Sequence, residues 1–130
     1  MKRRLVFTLG VGAAVAASLP AQAQTPPRNV PPRVVSVGSA LTEIVYALGA
    51  EGQLVGVDTT SLYPEAAKAL PQVGYMRALS AEGVLSLKPT LVIATTAAGP
   101  TTTLDQLRAT GVEVLVLPDH YDYDSVIAKI

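Results

Sequence analysis

Two side chains in this sequence, Tyr75 and Arg77, are of types that together suggest chemistry. A phenolate is a hard anionic oxygen donor suited to ferric iron. A free phenol ionises only at about pH 10, so ligation at neutral pH needs the charge of the metal and a nearby cation. In an extended loop, positions i and i+2 project to the same side. That would bring Arg77 to the Tyr75 oxygen or to a carboxylate of a ligand, which its planar fork fits. Read alone, the pair also describes a loop Tyr packing its ring beside an Arg in solvent.

Enzyme constellations are missing from the rest of the chain. One His and no Cys cannot build the usual zinc sites, and neither a Gly-x-Ser-x-Gly elbow nor a phosphate-binding Gly-rich loop is present. His120 precedes Tyr121, Asp122, Tyr123 and Asp124, a run that reads as a polar cluster or, more plainly, as a solvated loop entering a helix with an Asp cap. Glu82 is one more exposed helix Glu when read by itself, and Glu43 a polar helix residue with no assigned role.

The elements that must position these residues alternate. Arg33 to Val37 is a Val-rich strand stopped by Gly38. Ser39 or Thr42 then caps a helix whose apolar positions Leu41, Ile44, Val45 and Leu48 share one face, with Gly49 as its stop. Leu54 to Val57 is the second strand. Pro64 suits the first turn of a helix running to Leu70. After Pro71, the loop Gln72 to Leu79 carries Tyr75 and Arg77, and Ser80 caps a short helix containing Glu82, Val84, Leu85 and Leu87. Leu91 to Ala94 is the third strand. A helix capped by Thr101, Thr102 or Thr103 runs to Gly111, Val112 to Leu117 is the fourth strand, and Asp122 or Asp124 opens a last helix.

Strands returning in the same direction need crossovers, so this alternation implies an α/β fold with a parallel, doubly wound sheet of about four strands. Ligands bind such sheets beyond the C-terminal strand ends. The loops at Gly38-Ser39, Asp58 to Ser61, Thr95 to Pro100 and Asp119 to Tyr123 are therefore the ones to watch.

The chain opens with Lys2, Arg3 and Arg4, an uncharged stretch from Leu5 to Leu19, and the small-x-small run Ala21-Gln22-Ala23. This is the pattern of a secretion signal cleaved after Ala23, too short to span a bilayer. The surroundings of Arg3-Arg4 fit a twin-arginine signal poorly. Pro26, Pro27, Pro31 and Pro32 make 24–32 an extended linker, so the folded part starts near Arg33. The whole chain balances ten basic against ten acidic side chains, and cleavage removes three of the basic ones. A mildly acidic domain without a basic run is a poor nucleic-acid binder. Without Cys, an exported domain is held by packing alone and has no lipidation point at the cleavage site.

The run Arg33-Val34-Val35-Ser36-Val37-Gly38-Ser39-Ala40-Leu41-Thr42-Glu43-Ile44-Val45-Tyr46-Ala47-Leu48-Gly49 resembles the opening of periplasmic substrate-binding proteins for haem, vitamin B12 and iron siderophores. The run Gly74 to Gly83, followed by Leu85-Ser86-Leu87-Lys88-Pro89-Thr90-Leu91-Val92, is similar to the haem-specific branch. The resemblance covers 33–130 and implies the first of two α/β lobes that close on a ligand, the chain ending before the second. It implies a monomeric, non-enzymatic periplasmic protein that captures haem and delivers it to an ABC importer, a permease with its ATPase. By the same resemblance Tyr75 is the axial ligand of the haem iron, Arg77 supports the phenolate or a haem propionate, and Glu82 docks on the permease. Two alternatives stay open: the same class carrying cobalamin or an iron siderophore, with Tyr75 packing on the cargo, and an exported flavodoxin-like interaction domain.

Overall fold

The computed structural model describes residues 30–119 and 122–130; the leader, most of the linker, His120 and Tyr121 lie outside them. The elements are β1 (Val34–Val37), α1 (Ser39–Ala47), β2 (Leu54–Val57), α2 (Ala81–Leu85), β3 (Leu91–Thr95), α3 (Thr101–Ala109), β4 (Glu113–Leu117) and α4 (Tyr123–Lys129). All strand pairs are parallel, in the order β2-β1-β3-β4. The step from β1 to β2 runs one way across the sheet, and the next two steps run the other way. Right-handed crossovers then put α1 on one face and α2 with α3 on the opposite face, which makes the sheet doubly wound.

Side-chain parity agrees. Val35, Val37, Val92 and Ala94 join Val84 of α2 and Leu104 and Leu107 of α3 in one buried cluster. Ser36 points to the other face, where its hydroxyl accepts from the Thr42 hydroxyl of α1 at 2.9 Å. Each fully buried Val or Leu on the first face contributes about 1.5–3 kcal/mol of apolar burial, so α3 is the main clamp on the sheet.

Several local expectations need correction. Neither Ser39 nor Thr42 caps α1: Gly38 holds the N-cap position, and no N-cap side chain accepts from the first helical N–H groups. Thr42 is buried and spends its hydroxyl on Ser36 and Ser61. No threonine caps α3 either. Pro100 precedes it without a side-chain cap, and the Thr103 hydroxyl donates instead to the Leu79 carbonyl at 3.1 Å. The segment Glu65–Ala69 is a 3₁₀ turn, not an α-helix, with Pro64 before it and Ala67 as its buried residue. With little apolar surface to bury, so short a piece adopts the tighter turn. Arg33 stands outside β1, and its guanidinium donates to the carbonyls of Leu87 and Lys88 at 2.7 and 3.0 Å, tying off the chain after α2. Ser80 caps α2 as expected, accepting from the Gly83 N–H, and Asp122 caps α4, accepting from the Ser125 N–H at 2.8 Å.

Candidate ligand-binding face

The sheet reverses its winding between β1 and β3, and the crevice beyond the C-terminal ends of those strands is where such folds take ligands. Gly38 ends β1 there with φ 124°, and a Cβ at this position would meet the Thr95 Cγ2 of β3 at 2.9 Å. Only glycine lets the two strand ends approach so closely. The Thr95 hydroxyl is buried and has no partner among the described residues.

The loop after β2 is joined to the same strand end. Asp58 is fully buried, and its carboxylate accepts from the Gly38 N–H at 2.9 Å and the Ser61 hydroxyl at 2.8 Å. It also accepts from the Thr60 N–H at 3.0 Å and the Thr60 hydroxyl at 2.6 Å. The sequence marks Asp58 to Ser61 as a strand-end loop of interest without assigning a role to Asp58. An Asp followed by two threonines and a serine after a strand is the pattern of a side chain closing its own turn, and that signal was available.

Tyr75 lies on the neighbouring segment. Residues 71–74 run beside the end of β2, with the Val57 N–H donating to the Pro71 carbonyl, the Val73 N–H to the Val57 carbonyl and the Thr59 N–H to the Gly74 carbonyl, each at 3.0 Å. Gly74, at φ 99°, then redirects the chain. Tyr75 to Ala78 is a turn closed by the Ala78 N–H on the Tyr75 carbonyl at 2.9 Å. Its far side is pinned to the loop before α3 by Gly99 N–H to Met76 carbonyl and Leu79 N–H to Gly99 carbonyl bonds. The expectation of an extended loop that sets Tyr75 and Arg77 on one side is therefore wrong, because the i, i+2 rule does not hold through a turn. Tyr75 is 48 % exposed and Arg77 is exposed, and neither side chain makes a hydrogen bond to another described residue.

Glu82 is exposed in the first turn of α2, directly after the turn that carries Tyr75. His120 and Tyr121 lie outside the described residues, so their part of the polar run carries no geometry. Among the described residues no three His, Cys, Asp or Glu side chains gather as a metal site. A separate apolar groove of about 410 Å³ lies between α1 and α4, lined by Ala40, Ile44, Ala47, Tyr63 and Val126 with Glu43 and Lys129 at its polar edge. Neither Tyr75 nor Arg77 lines it.

A family model described as "Periplasmic binding protein" matches residues 34–129. The chain belongs to the periplasmic binding protein family. As a member of it, this periplasmic binding protein is similar to solved structures over its single lobe. The periplasmic heme-binding protein BhuT, in complex with two hemes, shares 50 % identity at a TM-score of 0.72, covering 75 % of this chain and 38 % of that one. A periplasmic heme-binding protein from Pseudomonas aeruginosa shares 49 % at a TM-score of 0.74, covering 77 % and 36 %. The Vitamin B12-binding protein of Yersinia pestis (strain Pestoides F) is 38 % identical over 99 residues, 75 % of this chain and 35 % of its own length. The chain thus spans little more than a third of the length of these relatives, and its four-stranded parallel lobe is the part they share.

Proposed function

We propose that residues 33–130 form the first lobe of a periplasmic substrate-binding protein that captures ferric haem and hands it to the permease of an ABC importer. The observation that carries this reading is Tyr75, a half-exposed phenol bonded to no described residue, on a turn anchored on both flanks beside the C-terminal end of β2. Tyr75 supplies the axial oxygen to the haem iron, as a hard donor suited to the ferric state. Arg77, with no ion pair among the described residues, turns its guanidinium to a propionate or to the phenolate once the ligand is present. The two relatives named for haem share about half of the aligned residues, more than the one named for vitamin B12. Glu82 sits on the exposed start of α2, the position from which an acidic side chain reaches a permease, with the ATPase beyond it.

Hemin added to the purified protein is expected to develop a phenolate-to-iron charge-transfer band, while added cobalamin leaves the protein unchanged. Binding by residues 33–130 alone should be weak and solvent-exposed, because one lobe covers one face of the ring. The second reading, cobalamin as cargo, has the 38 % identical relative in its favour. Binding of cobalamin with no band from hemin would establish it and displace the first.

The leader completes the proposal: export removes 1–23 and leaves 24–32 as a Pro-rich tether ahead of the lobe. The intact mass of the protein recovered from the periplasm should correspond to a chain starting at Gln24. A periplasmic product retaining Met1 to Ala23 would overturn this.

A further inference from the structure

We infer that Asp58 is the positioning residue for the Tyr75 turn, an inference that rests on the haem-binding reading above. Asp58 does not line the α1–α4 groove and lies entirely out of solvent. Its carboxylate nevertheless receives four donors, from two loops twenty residues apart in sequence. A carboxylate withdrawn from water is costly unless its lone pairs are matched, and an apolar filling of the same space often serves stability as well or better. What an apolar side chain cannot do is fix directions.

The directions fixed here run towards Tyr75. Through Oδ1, Asp58 holds the Gly38 N–H at the end of β1 and the Ser61 hydroxyl, which in turn meets Thr42 of α1 at 2.7 Å. Through Oδ2 it holds both polar groups of Thr60. The residue caught between these anchors is Thr59, and its N–H is the donor to the Gly74 carbonyl, one residue before the ligand-bearing turn. Asp58 thus connects the rigid end of β1 to the base of the Tyr75 turn without touching the ligand. Ser36 is the contrasting member of the network: equally buried, its hydroxyl receives only the Thr42 hydroxyl, and its own bond to the loop after β2 is backbone alone, the Asp58 N–H on the Ser36 carbonyl at 3.1 Å, which Ser36→Ala keeps.

Asp58→Asn replaces one acceptor oxygen by an amide that faces donors, so it opposes either the Thr60 or the Gly38 and Ser61 arm while keeping the side chain's shape. In the full chain, amide exchange followed by NMR should speed up about tenfold or more at Thr59 and Ala78. The hemin charge-transfer band should shift, with affinity about tenfold lower, the scale of losing an outer-shell support. Ser36→Ala should lower the melting temperature while leaving those two amides and the band as in the wild type. Unchanged exchange at Thr59 and Ala78 in Asp58→Asn, or equal acceleration in Ser36→Ala, overturns the assignment. If Asp58→Asn fails to fold, Thr60→Val removes only the 2.6 Å hydroxyl donor and reads the same two amides. A wild-type chain that gives no hemin band at all defeats the haem reading, and the amide rates then judge Asp58 separately.

Discussion

In Tyr75→Phe the hemin charge-transfer band is expected to vanish, and the affinity for ferric haem to fall by more than the roughly 10–100-fold that losing an outer-shell partner of a metal costs. The change removes one oxygen atom from a half-exposed side chain that bonds to no described residue. The fold has no reason to respond, since the turn is closed by backbone groups: Ala78 N–H on the Tyr75 carbonyl, and Met76 and Leu79 on Gly99. Surface changes of this kind move stability by no more than about 0.5 kcal/mol. Thermal unfolding of the variant should therefore overlay that of the wild type while the visible spectrum loses its ligand signature. Tight, spectrally sharp hemin binding that survives the substitution would show that the iron is held by another group. Lost binding with a lowered melting temperature would instead make Tyr75 a packing residue.

The elements that carry this site were legible because local pattern and tertiary structure agree in them. The four short apolar runs became the four strands; β1, buried along its whole length, shows why a strand covered on both faces reads as a continuous apolar run. Ser80 and Asp122 sit just before short helices, and each accepts an N–H of its helix. The misread positions share a different cause. Thr42 and Thr103 have the residue type of a cap, but their hydroxyls are claimed by partners in other elements, Ser36 and Ser61 for the one and the Leu79 carbonyl for the other. Cross-element bonds leave no mark at short range in a sequence. Asp58 is the strongest case: half of its role is a local turn that its neighbours announce, and half is the Gly38 N–H, which only the parallel pairing of β1 with β2 brings close. The Tyr75 turn was missed for the opposite reason. Its closure is wholly backbone to backbone, and the residues Tyr-Met-Arg-Ala do not advertise it. The resemblance singled out Tyr75, while the fold shows how it is presented: on a turn tied to two loops, with the Arg77 side chain exposed and bonded to no described residue.

Two leucines of the lobe, Leu107 and Leu115, should answer very differently to the same truncation. Leu107 of α3 is fully buried in the cluster with Val35, Val92 and Ala94, and Leu107→Ala is expected to cost about 2–5 kcal/mol, from lost transfer energy and the cavity left behind. Against a total of about 5–15 kcal/mol for a domain, that is a large share, and the urea midpoint should drop accordingly. Leu115 of β4 points to the opposite face from Val114 and Val116 and is 46 % exposed. Leu115→Ala should leave the unfolding free energy within about 0.5 kcal/mol of wild type, and the midpoint nearly unmoved. Equal losses at the two positions would mean that Leu115 is packed as tightly as Leu107, contrary to its exposure. Leu107 also stands one helical turn beyond Thr103, whose hydroxyl holds the Leu79 carbonyl at the end of the Tyr75 segment. Loosening α3 should therefore reach the ligand turn, so that Leu107→Ala broadens the hemin band at temperatures where most of the protein is still folded, and Leu115→Ala does not. That difference ties the deepest packing of the lobe to the placement of its exposed phenol.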